Sequence, residues 1–291
     1  MLNVGIINIT GYAGAEIARL VYSHPELKLV SATGRSKAGK DLSEVFPHLE
    51  KTDIKIREEL SDNVEFVFSA LPHAASAEKL SQYVDSSIPA IDISADFRLK
   101  DLSTYEDWYD IKHPRPELID QATYGLPEIH RDDIKKSKLV ANPGCFPTGA
   151  ILSMSPAVKN DLIEDMIIID SKTGVSGAGR TAKEAFGFSE LNDNCAAYGT
   201  KGHRHQPEIA QELNFLTNNE INVLFTPHLV SMTRGILGTN YGMLKKNITE
   251  KDAVELYKEF YKSEPFIKIV DAPPATKHTC CLLYTSPSPR D

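Results

Sequence analysis

The sequence predicts an α/β protein of two domains, and three observations carry that prediction. Apolar, β-branched runs alternate with segments of helical period through the first half. A glycine-containing loop joins the first such run to the first helical segment. In the second half, longer strand-like runs have helices clustered between them, the pattern of an α+β unit. The length of 291 residues also exceeds what one hydrophobic core comfortably organises.

The elements follow in order. Residues Leu2 to Asn8 read as a strand, Ala15 to Ser23 as a helix with Ile17, Leu20 and Val21 on one face, and Leu27 to Thr33 as the next strand. Val64 to Ala70 is a strand, Ala74 to Val84 a helix and Ile88 to Ile93 a strand, so a parallel sheet is expected. Residues Lys100 to Gln121 are polar and aromatic with prolines, and read as a surface excursion. In the second half, Thr148 to Val158, Pro207 to Leu216 and Glu250 to Tyr261 read as helices. Met166 to Asp170, Asn222 to Thr226 and Gly235 to Leu244 read as strands. No internal repeat is present.

Composition excludes several classes. Hydrophobic residues make up 41% and charged residues 25%, as in ordinary globular chains. A net charge of −8 argues against a nucleic-acid partner. No apolar run reaches membrane-span length, and no basic segment leads an apolar stretch at the N-terminus. The cysteines, at 145, 195, 280 and 281, have no metal-ligand spacing, so no metal is expected. Free thiols fit a reducing compartment, which points to the cytoplasm.

Four clusters carry chemistry. The first is the loop Asn8-Ile-Thr10-Gly11-Tyr12-Ala13-Gly14, where Gly11 and Gly14 fit the second and third positions of a dinucleotide fingerprint. Asn8 stands at the first position and tolerates the left-handed turn required there. The fold expected of residues 1–144 is therefore a Rossmann-type domain. After the second strand, Arg35, Ser36 and Lys37 replace the usual acidic residue, which favours NADP (NADPH) over NAD.

The second cluster, Asn142-Pro-Gly-Cys145-Phe-Pro147-Thr-Gly, places Cys145 just ahead of a helix whose Pro147 fits the first turn. Unpaired N–H groups there favour a thiolate and a developing oxyanion. Cys195 has no such setting. The third is His203-Arg204-His205-Gln-Pro207, where an extended segment would put both histidines on one face. A neutral histidine before a helix suits a base, and either one fills that role. The fourth comprises Arg98 at a strand end, suited to phosphate, and the loop Ser176-Gly177-Ala-Gly-Arg180, whose N–H groups suit phosphate or nicotinamide.

These motifs, in this order, resemble the N-acetyl-γ-glutamyl-phosphate reductases. The resemblance rests on residues 10–16, Ala-Leu-Pro-His at 70–73, Asp-Ile-Ser-Ala-Asp-Phe-Arg-Leu at 92–99, the Cys145 segment, 174–180 and His-Arg-His-Gln-Pro-Glu at 203–208. It departs at Asn8, usually Gly, and at Ser153, more often Gly, Thr, Ala or Cys. It implies a semialdehyde-dehydrogenase-like catalytic and dimerisation domain over 145–278. It also implies NADPH-dependent reduction of N-acetyl-glutamyl-5-phosphate through a thioester on Cys145.

By the same resemblance, His205 is the acid/base with His203 close behind, and Arg98, Ser94 and Arg204 face the substrate. The cofactor would lie along residues 10–14, Arg35 to Lys37, Leu71, Pro72, His73, Ser176 and Gly177. A small acyl phosphate is the expected partner, and the chain is expected to form a dimer or tetramer. Two alternatives are an N-acetyl-aminoadipyl-phosphate (or carrier-linked) reductase of lysine biosynthesis and a non-catalytic NADP-binding sensor. The family pattern continues past His278, whereas residues 279–291 read as a non-native tail whose stretch from Cys281 to Asp291 back-translates in frame into library adapter DNA. A non-native, disordered tail on an incomplete catalytic domain is therefore expected, with poor expression or little activity.

Overall fold

The computed structural model describes residues 1–181 and 183–279, with the side chains of residues 50–52 excepted. The tail expected at 279–291 lies, apart from Thr279, outside the described residues. The chain divides into two compact units, Met1–Gly144 and Cys145–Asp291.

In the first unit, β1 (Leu2–Ile7), α1 (Tyr12–Ser23), β2 (Leu27–Thr33), α2 (Leu42–Val45), β3 (Ile56–Arg57), β4 (Phe66–Ser69), α3 (Ala75–Asp85), β5 (Ala90–Asp92), α4 (Leu102–Tyr109), β6 (Ala122–Tyr124), α5 (Pro127–Ile134) and β7 (Leu139–Ala141) follow in sequence. The strands form one sheet in the order β3-β2-β1-β4-β5-β7-β6. Every pairing in it is parallel.

A parallel sheet must be covered on both faces, and the strand side chains divide accordingly. Val4, Ile6 and Ile56 pack with Ala15, Ala18 and Val21 of α1. Ile7, Val67 and Leu139 pack with Ala77, Leu80 and Val84 of α3. The segment 100–121 is not a mere surface excursion. Asp101 caps α4 by accepting from Thr104 N, and Tyr105, Leu118 and Ile119 are buried. Polar composition hid those three anchors, because the exposed residues outnumber them.

The second unit runs α6 (Cys145–Lys159), β8 (Ile163–Thr173), α7 (Phe188–Leu191), β9 (Cys195–Ala197), α8 (His205–Asn214), β10 (Asn222–Val230), β11 (Ile236–Leu244) and α9 (Glu250–Phe260). Its sheet, β11-β8-β10-β9, is mixed: β8 and β10 are parallel, and both edge strands are antiparallel. One face, with Ile167, Ile169, Val223 and Phe225, is buried. The other exposes Met166, Ile168, Leu224, Tyr241 and Met243.

Pro156 lies inside α6. Proline has no N–H, so the carbonyl four residues earlier loses its helical donor. That carbonyl, Leu152 O, accepts instead from the hydroxyl of Tyr261 at 2.5 Å, just past α9. The next carbonyl, Ser153 O, accepts from Tyr257 at 2.7 Å. Burial pushes the Tyr257 phenol up to about 12, so it keeps the proton it donates. The first of these bonds satisfies a group whose orphaning in a protein interior costs about 1–3 kcal/mol.

Candidate active site

In the first unit, the loop after β1 begins with Asn8 at φ 61°, the left-handed turn expected where a glycine is absent. Gly14 could be no other residue: a Cβ there would lie 2.6 Å from Asn8 O and Ile9 Cα. Helix and strand therefore approach as closely as a dinucleotide fold requires. At Gly11, by contrast, the space is open, with only Asn8 Nδ2 at 4.0 Å. Gly11 is the N-cap of α1 and carries no side-chain cap, so the helix N-terminus is free to face an anion.

At the end of β2, Arg35 to Lys37 form a short 3₁₀ turn, with Arg35 and Ser36 exposed and Lys37 half-buried. Neither cation makes an ion pair among the described residues. The residues present thus fit a dinucleotide carrying an extra phosphate. Pro72 and His73 are exposed and Leu71 is half-buried at the end of β4.

Two expected substrate ligands turn inward. Ser94 is 6% exposed; its hydroxyl donates to Asp92 Oδ2 at 2.6 Å and accepts from Asp96 N at 3.1 Å. Arg98 is 7% exposed; its Nε donates to Asn142 O at 2.8 Å and its Nη2 to Ile93 O at 2.7 Å. Through these bonds both residues support the scaffold. Arg98 fixes the turn three residues ahead of Cys145 in the chain. Asp92, which accepts from Ser76 and Ser94, is driven up to about 6 by its burial despite these bonds.

In the second unit, Cys145 is exposed and is itself the first residue of α6, one position further in than expected. Pro147 is tolerated at the third position because none of the first four N–H groups has a helical partner. The His-x-His segment is not extended, because Arg204 is helical at φ −54°, ψ −21° and already turns into α8. The rings of His203 and His205 nonetheless meet edge-on at 4.8 Å. The ring of Phe146, the neighbour of Cys145, lies 5.8 Å from each. Tyr198 and Phe225 complete the box around His203 at 5.8 and 5.2 Å.

The two histidines differ in state. His203 Nδ1 accepts from the backbone N–H of His205 at 3.2 Å, which fixes a neutral tautomer protonated at Nε2. Burial, with the Arg204 charge in support, depresses His203 to about 4. Tyr198 is raised to about 12, by burial first and then by the charge that Cys145 would carry as a thiolate.

Because His203 titrates below its ordinary 6.5, the unfolded chain takes up a proton under that pH while the folded chain refuses it until about pH 4. Stability present above pH 6.5 is therefore lost as pH falls toward 4. His203→Gln should lose less across that window; equal slopes in urea midpoint against pH would contradict it.

A cavity of about 600 Å³ opens from Cys145 and is lined by Ser171, Thr173, Ser176, Gly177 and Asn240. The 174–180 loop is not an open nest of donors. The N–H groups of Gly174, Val175, Ser176 and Gly179 donate to Gly235, Met232, Thr233 and Ser176 carbonyls. Residues 177–180 at its outer end are exposed, so a ligand would meet the loop there. Composition alone did not single out Tyr198 and Phe225, since nothing in their neighbourhood marks them.

Comparison with known proteins gives concordant results. The family profile "Semialdehyde dehydrogenase, NAD binding domain" matches residues 3–137, and "Semialdehyde dehydrogenase, dimerisation domain" matches residues 145–282. An N-acetyl-gamma-glutamyl-phosphate reductase of Dehalococcoides mccartyi is 50% identical over 285 residues, covering 96% of this chain and 84% of the relative. The enzyme of the same name from Methanococcus maripaludis is 44% identical over 277 residues, 93% of this chain and 80% of its own.

Among solved structures, aspartate semialdehyde dehydrogenase II from Vibrio cholerae superposes with a TM-score of 0.67 at 16% identity, over 92% of this chain and 81% of that one. Aspartate semialdehyde dehydrogenase with NADP from Candida albicans gives 0.63 at 15% identity, over 90% and 76%. At such identities these two establish the fold alone. Among the described residues, no helix is long and apolar enough to cross a membrane.

Proposed function

The chain belongs to the N-acetyl-gamma-glutamyl-phosphate reductase family, and from that premise we propose that it reduces N-acetyl-glutamyl-5-phosphate with NADPH. The products are N-acetyl-glutamate-5-semialdehyde and phosphate, a step of arginine biosynthesis in the cytoplasm. The observation that carries this reading is Cys145 at the first residue of α6, with the His203–His205 ring pair against the adjoining Phe146.

Residues 1–144 form the NADP-binding domain in this reading, and residues 145–278 the catalytic and dimerisation domain. Residues 10–14 would hold the pyrophosphate, Arg35 to Lys37 the 2′-phosphate, residues 71–73 the groove beside β4, and Ser176 and Gly177 the nicotinamide. When bound there, NADPH supplies the hydride.

The residues of the chain do the rest. The Cys145 thiolate, favoured by the α6 N-terminus, attacks the acyl carbon; the C–O bond to phosphate breaks and phosphate leaves with its electron pair. Reduction of the resulting thioester leaves a thiohemiacetal oxyanion, which the same helix N-terminus stabilises. As the C–S bond breaks, its electrons return to sulfur and the aldehyde is released. His205 exchanges the proton at this oxygen, while His203, held neutral, orients the His205 backbone. Arg204, exposed beside the pair, meets the anionic end of the substrate.

The chain with NADPH and each acyl phosphate should consume NADPH with the glutamyl compound. Turnover of N-acetyl-aminoadipyl phosphate instead would move it to lysine biosynthesis, and turnover of neither would leave a sensor. Arg35→Ala with Lys37→Ala should weaken NADPH on the order of tenfold or more and NADH little, as expected for two charge-assisted phosphate contacts. Equal losses for both cofactors would remove these residues from the 2′-phosphate.

The reading includes a homo-oligomer, a dimer or a tetramer. Met166, Ile168, Leu224, Tyr241 and Met243 form an apolar sheet face of the kind that a second copy covers. Ile168→Glu should convert the sedimenting species to monomer, and an unchanged species would place the interface elsewhere.

A further inference from the structure

The turn from Ala70 to Ala74, which follows β4, is held from both ends. At its far end Ala74 has φ 66°, ψ −46°, a conformation that a non-glycine residue adopts only when its surroundings over-determine it. The surroundings here are Asp96, fully buried. Its Oδ1 accepts from Ala74 N at 2.7 Å and from the Tyr105 hydroxyl at 2.9 Å, and its Oδ2 accepts from Ala77 N at 2.8 Å. Asp96 thus grips the strained residue and the first turn of α3 together.

Beyond Asp96, His113 Nδ1 accepts from Arg115 N, so the imidazole is protonated at Nε2 and donates to Asp96 O at 2.7 Å. That bond fixes the Asp96 backbone in turn.

At its near end the turn meets the glycine loop. Asn8 Nδ2 donates to Ala70 O at 2.8 Å, and Asn8 N donates to Thr33 Oγ1 at 3.2 Å. A glycine at position 8 could take the same backbone turn but could not make the first of these bonds. Between the two grips, Pro72 and His73 are exposed, and the His73 ring lies 5.4 Å from Tyr109, which stacks on Tyr105 at 4.8 Å. The turn leaves the carboxyl end of β4 beside that of β1, where open α/β sheets bind their ligands.

We propose that Asn8 and Asp96 are positioning residues for the dinucleotide. Together they clamp Ala70–Ala74 in a strained turn that forms one wall of the NADPH groove, so that the wall is in place before the ligand arrives. Pre-organisation of this kind raises affinity by removing an ordering cost. The proposal rests on the reading of the first unit as an NADPH-binding domain.

The test compares wild type, Asn8→Gly and Asp96→Asn by NADPH fluorescence titration, amide hydrogen exchange and thermal melting of the whole chain. Asn8→Gly keeps the left-handed backbone and removes only the tether, so NADPH should bind about fivefold more weakly, the equivalent of one ordinary hydrogen bond. Asp96→Asn turns a donor toward one of the two backbone N–H groups. It should weaken binding about tenfold or more and speed exchange at Ala74 and Ala77.

A lowered melting temperature with wild-type NADPH affinity in Asn8→Gly would mean that the contacts are merely structural, and would overturn the proposal. Should Asp96→Asn fail to fold, Asn8→Gly alone decides. Should wild type fail to bind NADPH, the cofactor reading falls first. The clamp is then judged by exchange: faster amides over residues 70–74 in Asn8→Gly support it, and unchanged ones overturn it.

Discussion

Cys145→Ser should abolish acyl-phosphate reduction, by on the order of 10³-fold or more, and leave NADPH binding intact. A neutral serine hydroxyl is a far weaker nucleophile than a thiolate, and the α6 N-terminus, which favours an anion by modest electrostatics, cannot ionise it at neutral pH. The exposed sulfur also makes the intermediate accessible to trapping. A reaction of wild type with acyl phosphate alone, quenched in acid, should carry the acyl group on the peptide containing Cys145. Near-normal turnover by the serine variant, or an acyl group on Cys195, would remove the covalent route through Cys145. Cys195→Ser should be close to neutral, since that residue is exposed on an edge strand.

His205→Asn should lower the chemical rate by about 10²–10⁴-fold and flatten one limb of the pH–rate profile. The assignment follows from the different duties of the two rings. His203 gives its Nδ1 to the backbone of His205 and titrates near pH 4, so it stays neutral through the working range. An acid/base must change state in each turnover, which suits His205 better. His203→Asn should instead perturb the orientation of its neighbour, with a smaller loss and both limbs retained. If His203→Asn flattened the limb and His205→Asn did not, the two roles would be exchanged.

Much of the fold was legible because hydrophobic period reports it directly. Leu27–Thr33 is a strand at the bounds its pattern implies, and the parallel sheet follows from the alternation of elements. Where period fades, so does the reading. β6 and β7 are three residues each, too short to display alternation, and α5 between them has an irregular residue at His130. β8 is eleven residues long, yet only its centre reads as strand, because Glu164 and Asp165 at one end and Lys172 at the other interrupt the apolar run.

The site shows the same division. Residue type identifies which groups can do chemistry, so Cys145, the histidine pair and the glycine loop were visible. It does not say which partner a charged residue meets. Arg98 and Ser94 carry the chemistry of ligands, but Arg98 meets backbone carbonyls and Ser94 meets buried aspartates, and a backbone carbonyl has no sequence signature. The turn at Arg204 was hidden because Pro207 marks the start of α8 only to within a residue or two.

The proline within α6 has a consequence for how the chain is made. The carbonyl that Pro156 leaves open is closed by Tyr261, a hydroxyl 109 residues further along the chain. On a ribosome adding about 5–20 residues per second, the helix that begins with Cys145 emerges roughly 5–20 s before the group that completes it. During that interval its later turns have exposed carbonyls and an uncovered apolar side, while the first unit is already whole and free to fold. The reactive cysteine is thus synthesised at the front of a helix that can only be finished after translation has passed α9.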